Sequence, residues 1–330
     1  MSNNRNILVT GALGQIGSEL VPALRRRYGA GRVISSDIRM PHGEAGSARP
    51  GAAPARAFEL VDCTQPHQLH EVVRRHDIAA IYHLAALLSA VAEEKPQIAW
   101  SLNMGGLYNL LEVARQYGCQ VFFPSSIGAF GPSTPRDQTP QETIQRPTTM
   151  YGVTKVAGEL LCDYYATRFE VDTRGLRLPG LISHSAPPGG GTTDYAVEIF
   201  RQALRYRHYT CFLGPDTRLD MMYMPDAVRA MIELMEADGA RLVHRNAFNI
   251  TAMSITPAEL AGAIAERLPG FRIDYDIDPV RQAIADSWPR ALDDSAARAE
   301  WGWAPAYDLG AMCDDMLARL APAVKPARAS

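Results

Sequence analysis

The chain has 330 residues, 47% hydrophobic and 21% charged, proportions of a folded globular protein and not of a disordered one. Its 33 Lys and Arg against 36 Asp and Glu leave a net charge of −3, so no basic excess points to nucleic acid or an anionic membrane. The longest apolar stretch without a formal charge, residues 78–92, contains a histidine and is shorter than the roughly 20 residues that span a bilayer.

The start of the chain carries too short an apolar core for a secretory signal. Five cysteines stand apart at positions 63, 119, 162, 211 and 313. Their odd number and lack of paired spacing argue against a disulfide framework or a zinc site, and they read as small buried hydrophobes in a cytoplasmic protein.

Residues 6–10 form a β-branched run, followed by a glycine-rich turn and an amphipathic helix over 15–28. Residues 32–37 read as a second strand, and 41–57, rich in Pro, Gly and Ala, as a mobile surface loop. A strand at 58–62, a helix at 66–76, a strand at 78–84, a helix at 97–117 and a strand at 120–126 follow. Alternating strands and helices, with continuous apolar runs in the strands, imply a doubly wound parallel sheet covered on both faces. Further on, 183–194 reads as a loop, 194–206, 258–268 and 309–320 as helices, and 246–250 and 272–276 as short strands. The expected division is an α/β cofactor domain over 1–180, joined again by part of 215–250, and a smaller mixed α/β substrate domain over 181–330.

In TGALGQIG (10–17), Gly11, Gly14 and Gly17 recur every three residues where a strand gives way to a helix. Such glycines let the chain turn tightly and approach a pyrophosphate, while the helix N-terminus around Gln15 and Ile16 offers free N–H groups and a positive dipole end. Asp37 lies twenty residues beyond Gly17, at the end of the second strand. There a carboxylate accepts from both adenosine ribose hydroxyls and repels a 2′-phosphate, which favours NAD over NADP, although Arg39 nearby softens that preference. Asp62 ends the third strand and can reach the adenine amino group.

Tyr151 and Lys155 stand four apart, one turn from each other on a helix predicted over 151–168. Phenol is a weak base at its ordinary pKa of about 10, and a neighbouring ammonium is expected to lower it. Ser125 and Ser126 follow the fifth strand at the carboxyl edge of the sheet, where the Ser126 hydroxyl can hold a substrate oxygen opposite the tyrosine.

TGALGQIG, HLAA (83–86), PSSIGAFG (124–131) and YGVTK (151–155) together resemble an extended short-chain dehydrogenase/reductase, the Rossmann fold of UDP-galactose 4-epimerase. IGAFGPSTP (127–135), RLPGLIS (177–183), GGGTTDYAVEIF (189–200), MMYMPDA (221–227) and SWP (287–289) are similar to the epimerase-like, metal-independent L-threonine 3-dehydrogenases. The resemblance implies oxidation of the threonine hydroxyl by NAD+ to 2-amino-3-ketobutyrate. It implies Tyr151 as acid/base, Lys155 as its electrostatic partner and Ser126 as hydroxyl anchor. Cofactor contacts are implied at the glycine turn, Asp37, Asp62, Leu84, Ala85, Asn103, Tyr151, Lys155 and Leu181. For the zwitterionic amino acid the candidates are Ser89, Ser126, Tyr151, Thr192, Thr193 and Trp288, with Gly189–Gly191 as a lid hinge.

Thr193 can equally cap the helix that follows, for which Asp194 is the better cap. His83 ends a buried strand with no other ligand at metal-binding spacing, so no metal is expected. The helices 101–117 and 151–168 are apolar on more than one face, which suggests a homodimer through a two-fold bundle. A nucleotide-sugar epimerase or dehydratase shares the cofactor turn and the Tyr/Lys pair and stays open as an alternative. So does a non-catalytic NAD-binding regulator.

Overall fold

The computed structural model describes residues 6–41, 57–185 and 191–323. Most of the expected 41–57 loop, and Gly189 and Gly190 of the expected hinge, lie outside the described residues.

The chain runs through β1 (Asn6–Thr10), α1 (Gln15–Tyr28), β2 (Val33–Asp37), β3 (Phe58–Leu60), α2 (Pro66–Arg75) and β4 (Ile78–His83). Then come α3 (Ser89–Glu94), α4 (Pro96–Trp100), α5 (Gly106–Tyr117), β5 (Gln120–Ser126), α6 (Met150–Phe169), β6 (Thr173–Leu178) and β7 (Gly180–Ile182). The rest is α7 (Tyr195–Tyr206), β8 (His208–Cys211), β9 (Leu219–Tyr223), α8 (Met224–Glu236), β10 (Phe248–Asn249), β11 (Met253–Ile255), α9 (Pro257–Arg267), β12 (Arg272–Tyr275), α10 (Pro279–Asp286), α11 (Ser295–Trp301) and α12 (Leu309–Leu320).

Seven strands form one parallel sheet in the order β10-β6-β5-β4-β1-β2-β3. β1 and β5 carry buried apolar runs, Leu8–Val9 and Val121–Phe122, as a sheet covered on both faces requires. One apolar layer gathers α1 and α8 residues, among them Leu20, Leu24, Met231 and Leu234, and the other gathers α2 and α5 residues such as Leu69, Leu107 and Leu111. The strand order reverses between β1 and β4, and at that switch point the carboxyl ends of the strands open a crevice.

Two smaller sheets, β11-β9-β7 and β12-β8, carry a third apolar core with α7, α9 and α12. The helix expected as continuous over 97–117 is α4 and α5 joined by a π-helical turn at Ser101–Gly105. The turn's Asn103 is buried and bonded to its surroundings. The expected strand at 246–250 pairs only at Phe248 and Asn249, because Ala247 sits at φ 59°. All five cysteines are free and buried. Among the described residues no helix is long and apolar enough to cross a membrane.

Candidate active site

The glycine turn owes its shape to missing side chains. Gly11 has φ +68° and packs on Leu84 and Ala85, where a Cβ would stand 2.7 Å from Ala85 N. A Cβ on Gly17 would stand 2.5 Å from Ala12 O. The turn therefore lies tight against both β4 and its own helix. Helix α1 begins with no side-chain cap and no acid in its first turn, so its N–H groups are left for an outside anion. Gln15 Nε2 is buried there without a partner. An unmatched donor beside an open helix N-terminus suits a pyrophosphate.

A cavity of about 220 Å³ opens from this turn. Of the residues singled out from the sequence, Gly11, Gly14, Gln15, Ile16, Gly17, Leu84, Ser89, Ser126, Tyr151, Lys155, Leu181, Thr192, Thr193 and Trp288 all line it. They come from the ends of β1, β4 and β5, the starts of α1, α3 and α6, β7, the segment before α7 and the segment after α10.

Asp37, Asp62, Ala85 and Asn103 stand off the cavity wall. Asp37 is buried at the end of β2, accepts from Leu13 N at 3.1 Å, and pairs with Arg39 Nε at 3.2 Å. The Asp62 carboxylate accepts from Thr64 N at 2.9 Å and Thr64 Oγ1 at 2.7 Å, which shapes the turn after β3. Ala85 presents its backbone to Gly11. Asn103 spends its amide on Leu87 N at 2.8 Å, Leu87 O at 3.3 Å and Thr154 Oγ1 at 3.1 Å, fastening the segment after β4 to α6.

Helix α6 places the titratable side chains. Thr149 caps it by accepting from Gly152 N, and Glu93 Oε1 accepts from Met150 N at 2.6 Å, which ties the helix start to α3. Tyr151 and Lys155 then face the end of β5. Lys155 Nζ donates to Pro124 O at 2.6 Å and lies 5.3 Å from the centre of the Tyr151 ring. The expectation that this ammonium lowers the tyrosine pKa needs correction. Burial pushes the Tyr151 phenol up to about 12, and the influence opposing it is hydrogen bonding from Ser126. Lys155 meets the same burial and is pulled down to about 8. Ser126 Oγ also accepts from Gly128 N at 3.1 Å. Gly128 lies against the phenol, where a Cβ would stand 3.2 Å from the ring.

Around the substrate candidates, Ser89 and Thr192 are buried, and Trp288 packs in the core of α7, α9 and α12 with its carbonyl accepting from Arg136 Nε at 3.1 Å. Asp194 does not cap α7 as expected. Its carboxylate turns back to accept from Gly191 N at 2.7 Å and adopts helical backbone angles itself. His83 Nδ1 shares a hydrogen bond with Thr10 Oγ1 at 2.9 Å.

Sequence reasoning missed the charges behind this wall. Glu159 on α6 accepts from Ser125 Oγ and from Gln145 Nε2 at 2.8 Å, and pairs with Arg177 Nη2 of β6 at 2.9 Å. Its signal was present, since Glu159 continues the Tyr151–Lys155 spacing by another four residues. Gly128, Pro179 and Gly180 were also passed over, although each lies inside a quoted motif.

The chain is 58% identical over 313 residues to an uncharacterized epimerase/dehydratase of Staphylococcus saprophyticus, covering 95% of this chain and 96% of that protein. It is 53% identical to the crystal structure of an L-threonine dehydrogenase from Clostridium difficile, with a TM-score of 0.92 over 97% of this chain and 98% of the other. A monomeric L-threonine 3-dehydrogenase from a metagenome is 42% identical, with a TM-score of 0.91 over 97% of this chain and 100% of its own. The NAD dependent epimerase/dehydratase model matches residues 7–251. With the glycine turn, the switch-point crevice and these matches together, the chain belongs to the NAD dependent epimerase/dehydratase family.

Proposed function

We propose that the protein is an NAD-dependent L-threonine 3-dehydrogenase that oxidises the β-hydroxyl of L-threonine to a ketone. The observation carrying this reading is one cavity shared by the glycine turn, the Ser126–Tyr151–Lys155 group and the Thr192–Thr193 segment. The threonine dehydrogenases among its structural relatives support the choice of substrate. In this reading residues 1–180, with part of 215–250, hold the dinucleotide, and 181–330 hold the amino acid.

Gly11, Gly14, Gln15, Ile16 and Gly17 receive the pyrophosphate, and Asp37 exchanges its Leu13 and Arg39 contacts for the ribose hydroxyls. Bound NAD+ supplies the hydride acceptor and a positive charge near the phenol. Ser126 holds the substrate oxygen, and Tyr151 Oη takes the hydroxyl proton as hydride departs from Cβ. The proton goes to the Tyr151 phenolate, which becomes the phenol, so the proton transfer is assigned to a side chain and asks for no metal. Lys155 steadies the resulting charge distribution from below the ring. Ser89, Thr192, Thr193 and Trp288 enclose the amino acid and exclude water.

A buried phenol must lose its proton while the nearby ammonium keeps its own. With the phenol near 12 and the ammonium near 8, the rate should rise with pH up to about 8 and level off above it, where each gain in phenolate is offset by a loss of ammonium. A cytoplasmic setting, where free thiols persist, fits the five buried cysteines.

The deciding assay is NADH formation at 340 nm with L-threonine, L-allo-threonine, L-serine and UDP-galactose offered in parallel. Turnover confined to the β-hydroxy amino acids is expected, and turnover of the sugar nucleotide instead would hand the site to the epimerase reading. On the oligomer, Ile98, Trp100, Tyr108, Val153, Leu160 and Tyr164 form an exposed apolar set on α4, α5 and α6. That surface supports a homodimer, and a monomer by sedimentation at micromolar concentration would reject it.

A further inference from the structure

Three consecutive residues at the end of β5 are each held by one residue of a single stripe on α6. Tyr151, Lys155 and Glu159 follow one another a turn apart on the same helical face. The Ser126 hydroxyl hydrogen-bonds the Tyr151 phenol, the Lys155 ammonium donates to Pro124 O at 2.6 Å, and Ser125 Oγ donates to Glu159. Glu159 is 3% exposed, and its remaining acceptor capacity goes to Arg177 Nη2 at 2.9 Å, Arg177 Nε at 3.2 Å and Gln145 Nε2 at 2.8 Å. Arg177 is fixed in turn by Gln141 O at 2.8 Å and Asn249 Oδ1 at 3.1 Å. Of the ion pair's side-chain hydrogen bonds, the one that reaches the cavity wall is the one from Ser125.

From this arrangement we infer that Glu159 is a positioning residue for the reaction. Its carboxylate seats the Ser125–Ser126 end of β5 against α6 and supplies the negative charge that keeps Lys155 an ammonium at the cofactor's seat. The inference rests on the dehydrogenase reading of the site.

The charge argument follows from what surrounds Lys155. Burial opposes its ammonium, and Glu159 is the foremost group opposing that effect. The others facing it are Cys162 further along α6, the Tyr151 phenol, and His83 from β4, whose imidazole burial pushes down to about 3. Glu159 itself faces Lys155, Cys162 and Asp163 on its own helix and Arg177 from β6. Removing the carboxylate leaves the ammonium in a dry site without its counter-charge. That displaces its titration downward by about one pH unit or more.

NADH fluorescence titrations between about pH 6 and pH 10 read this directly. They use no amino acid, so a mistaken substrate would leave the readout intact. Affinity is present while Lys155 is protonated and is lost as pH rises through its pKa. In Glu159→Gln the midpoint of that loss should fall by about one unit, whereas Glu159→Asp, which keeps the charge, should hold it near the wild-type position. The double variant Glu159→Gln/Arg177→Met replaces the ion pair by neutral groups of similar size and guards against a single variant that does not fold. It should show a displacement in the same direction, smaller because the Arg177 charge is removed along with the carboxylate. Ser125→Ala should lower turnover severalfold with the midpoint in place. An unmoved midpoint in the folded single or double variant, an equal displacement in Glu159→Asp, or undiminished turnover in Ser125→Ala would overturn the inference.

Discussion

The two walls of the cavity are built by opposite means. Around the glycine turn, backbone lies against backbone: Gly11 on Ala85 and Gly17 on Ala12 leave no room for another carbon. Along the β5–α6 seam, side chains with charge do the holding: Lys155 on Pro124, and Glu159 on Ser125 and Arg177. The first wall is defined by steric exclusion and should fail when an atom is added. The second is defined by electrostatics in a dry environment and should fail when a polar group is removed.

Substitutions can test that contrast. The largest effect is expected from Tyr151→Phe, which removes one oxygen from the charged wall. Turnover of L-threonine should fall by about 10²–10⁴-fold while NADH still binds, and near-normal turnover would take Tyr151 out of the chemistry. Next is Gly17→Ala, which adds one carbon to the steric wall at 2.5 Å from Ala12 O. NADH affinity, read by fluorescence, should weaken by about tenfold or more, and an unchanged affinity would show that the turn can relax. Gly128→Ala adds a carbon to the charged wall, its new methyl 3.2 Å from the Tyr151 ring and 3.5 Å from Ser126 Oγ. It should lower kcat by about tenfold with NADH binding intact, and equal losses in both would blur the distinction.

The smallest effect concerns a buried carboxylate that belongs to neither wall. Asp220 on β9 accepts from Thr251 Oγ1 at 2.8 Å and Leu292 N at 2.7 Å, and burial pushes its pKa up to about 8. The folded state thus holds a proton that the unfolded chain releases near pH 4. The resulting stabilisation is complete below about pH 4 and disappears as pH rises toward 8. Asp220→Asn keeps an acceptor for Leu292 and should be more stable above neutrality by on the order of 1 kcal/mol. Parallel thermal melts of wild type and variant across pH would expose a mistaken sign.

The steric wall and the first five strands were legible because their causes are local. Glycine spacing, β-branched runs and helical periodicity all act within about twenty residues. β6 was not legible, since Thr173–Leu178 contains Arg174, Gly175 and Arg177 and so lacks the apolar run of a central strand. Arg177 is matched by Glu159 and Asn249, both distant in sequence, and Arg174 by the distant Leu234 O and Ala237 O together with the nearby Asp172 carboxylate. The expected effect of Lys155 on Tyr151 failed for a related reason. Spacing on a helix gives proximity, but the desolvation that dominates both groups comes from strands and loops packed over them. Asp194 was misread because its preceding segment folds back toward it, a matter of turn geometry that residue preference does not carry.

One strand ties two of the apolar cores into a single mechanical body. Along β9, Leu219, Met221 and Tyr223 enter the core beneath α7 and α12, while Met222 and the following Met224 enter the core beneath α1. A strand whose alternate side chains are shared in this way cannot melt on one side only. Heat or denaturant should therefore unfold the protein in one cooperative step, and scission between these cores should yield two insoluble fragments rather than two independent modules.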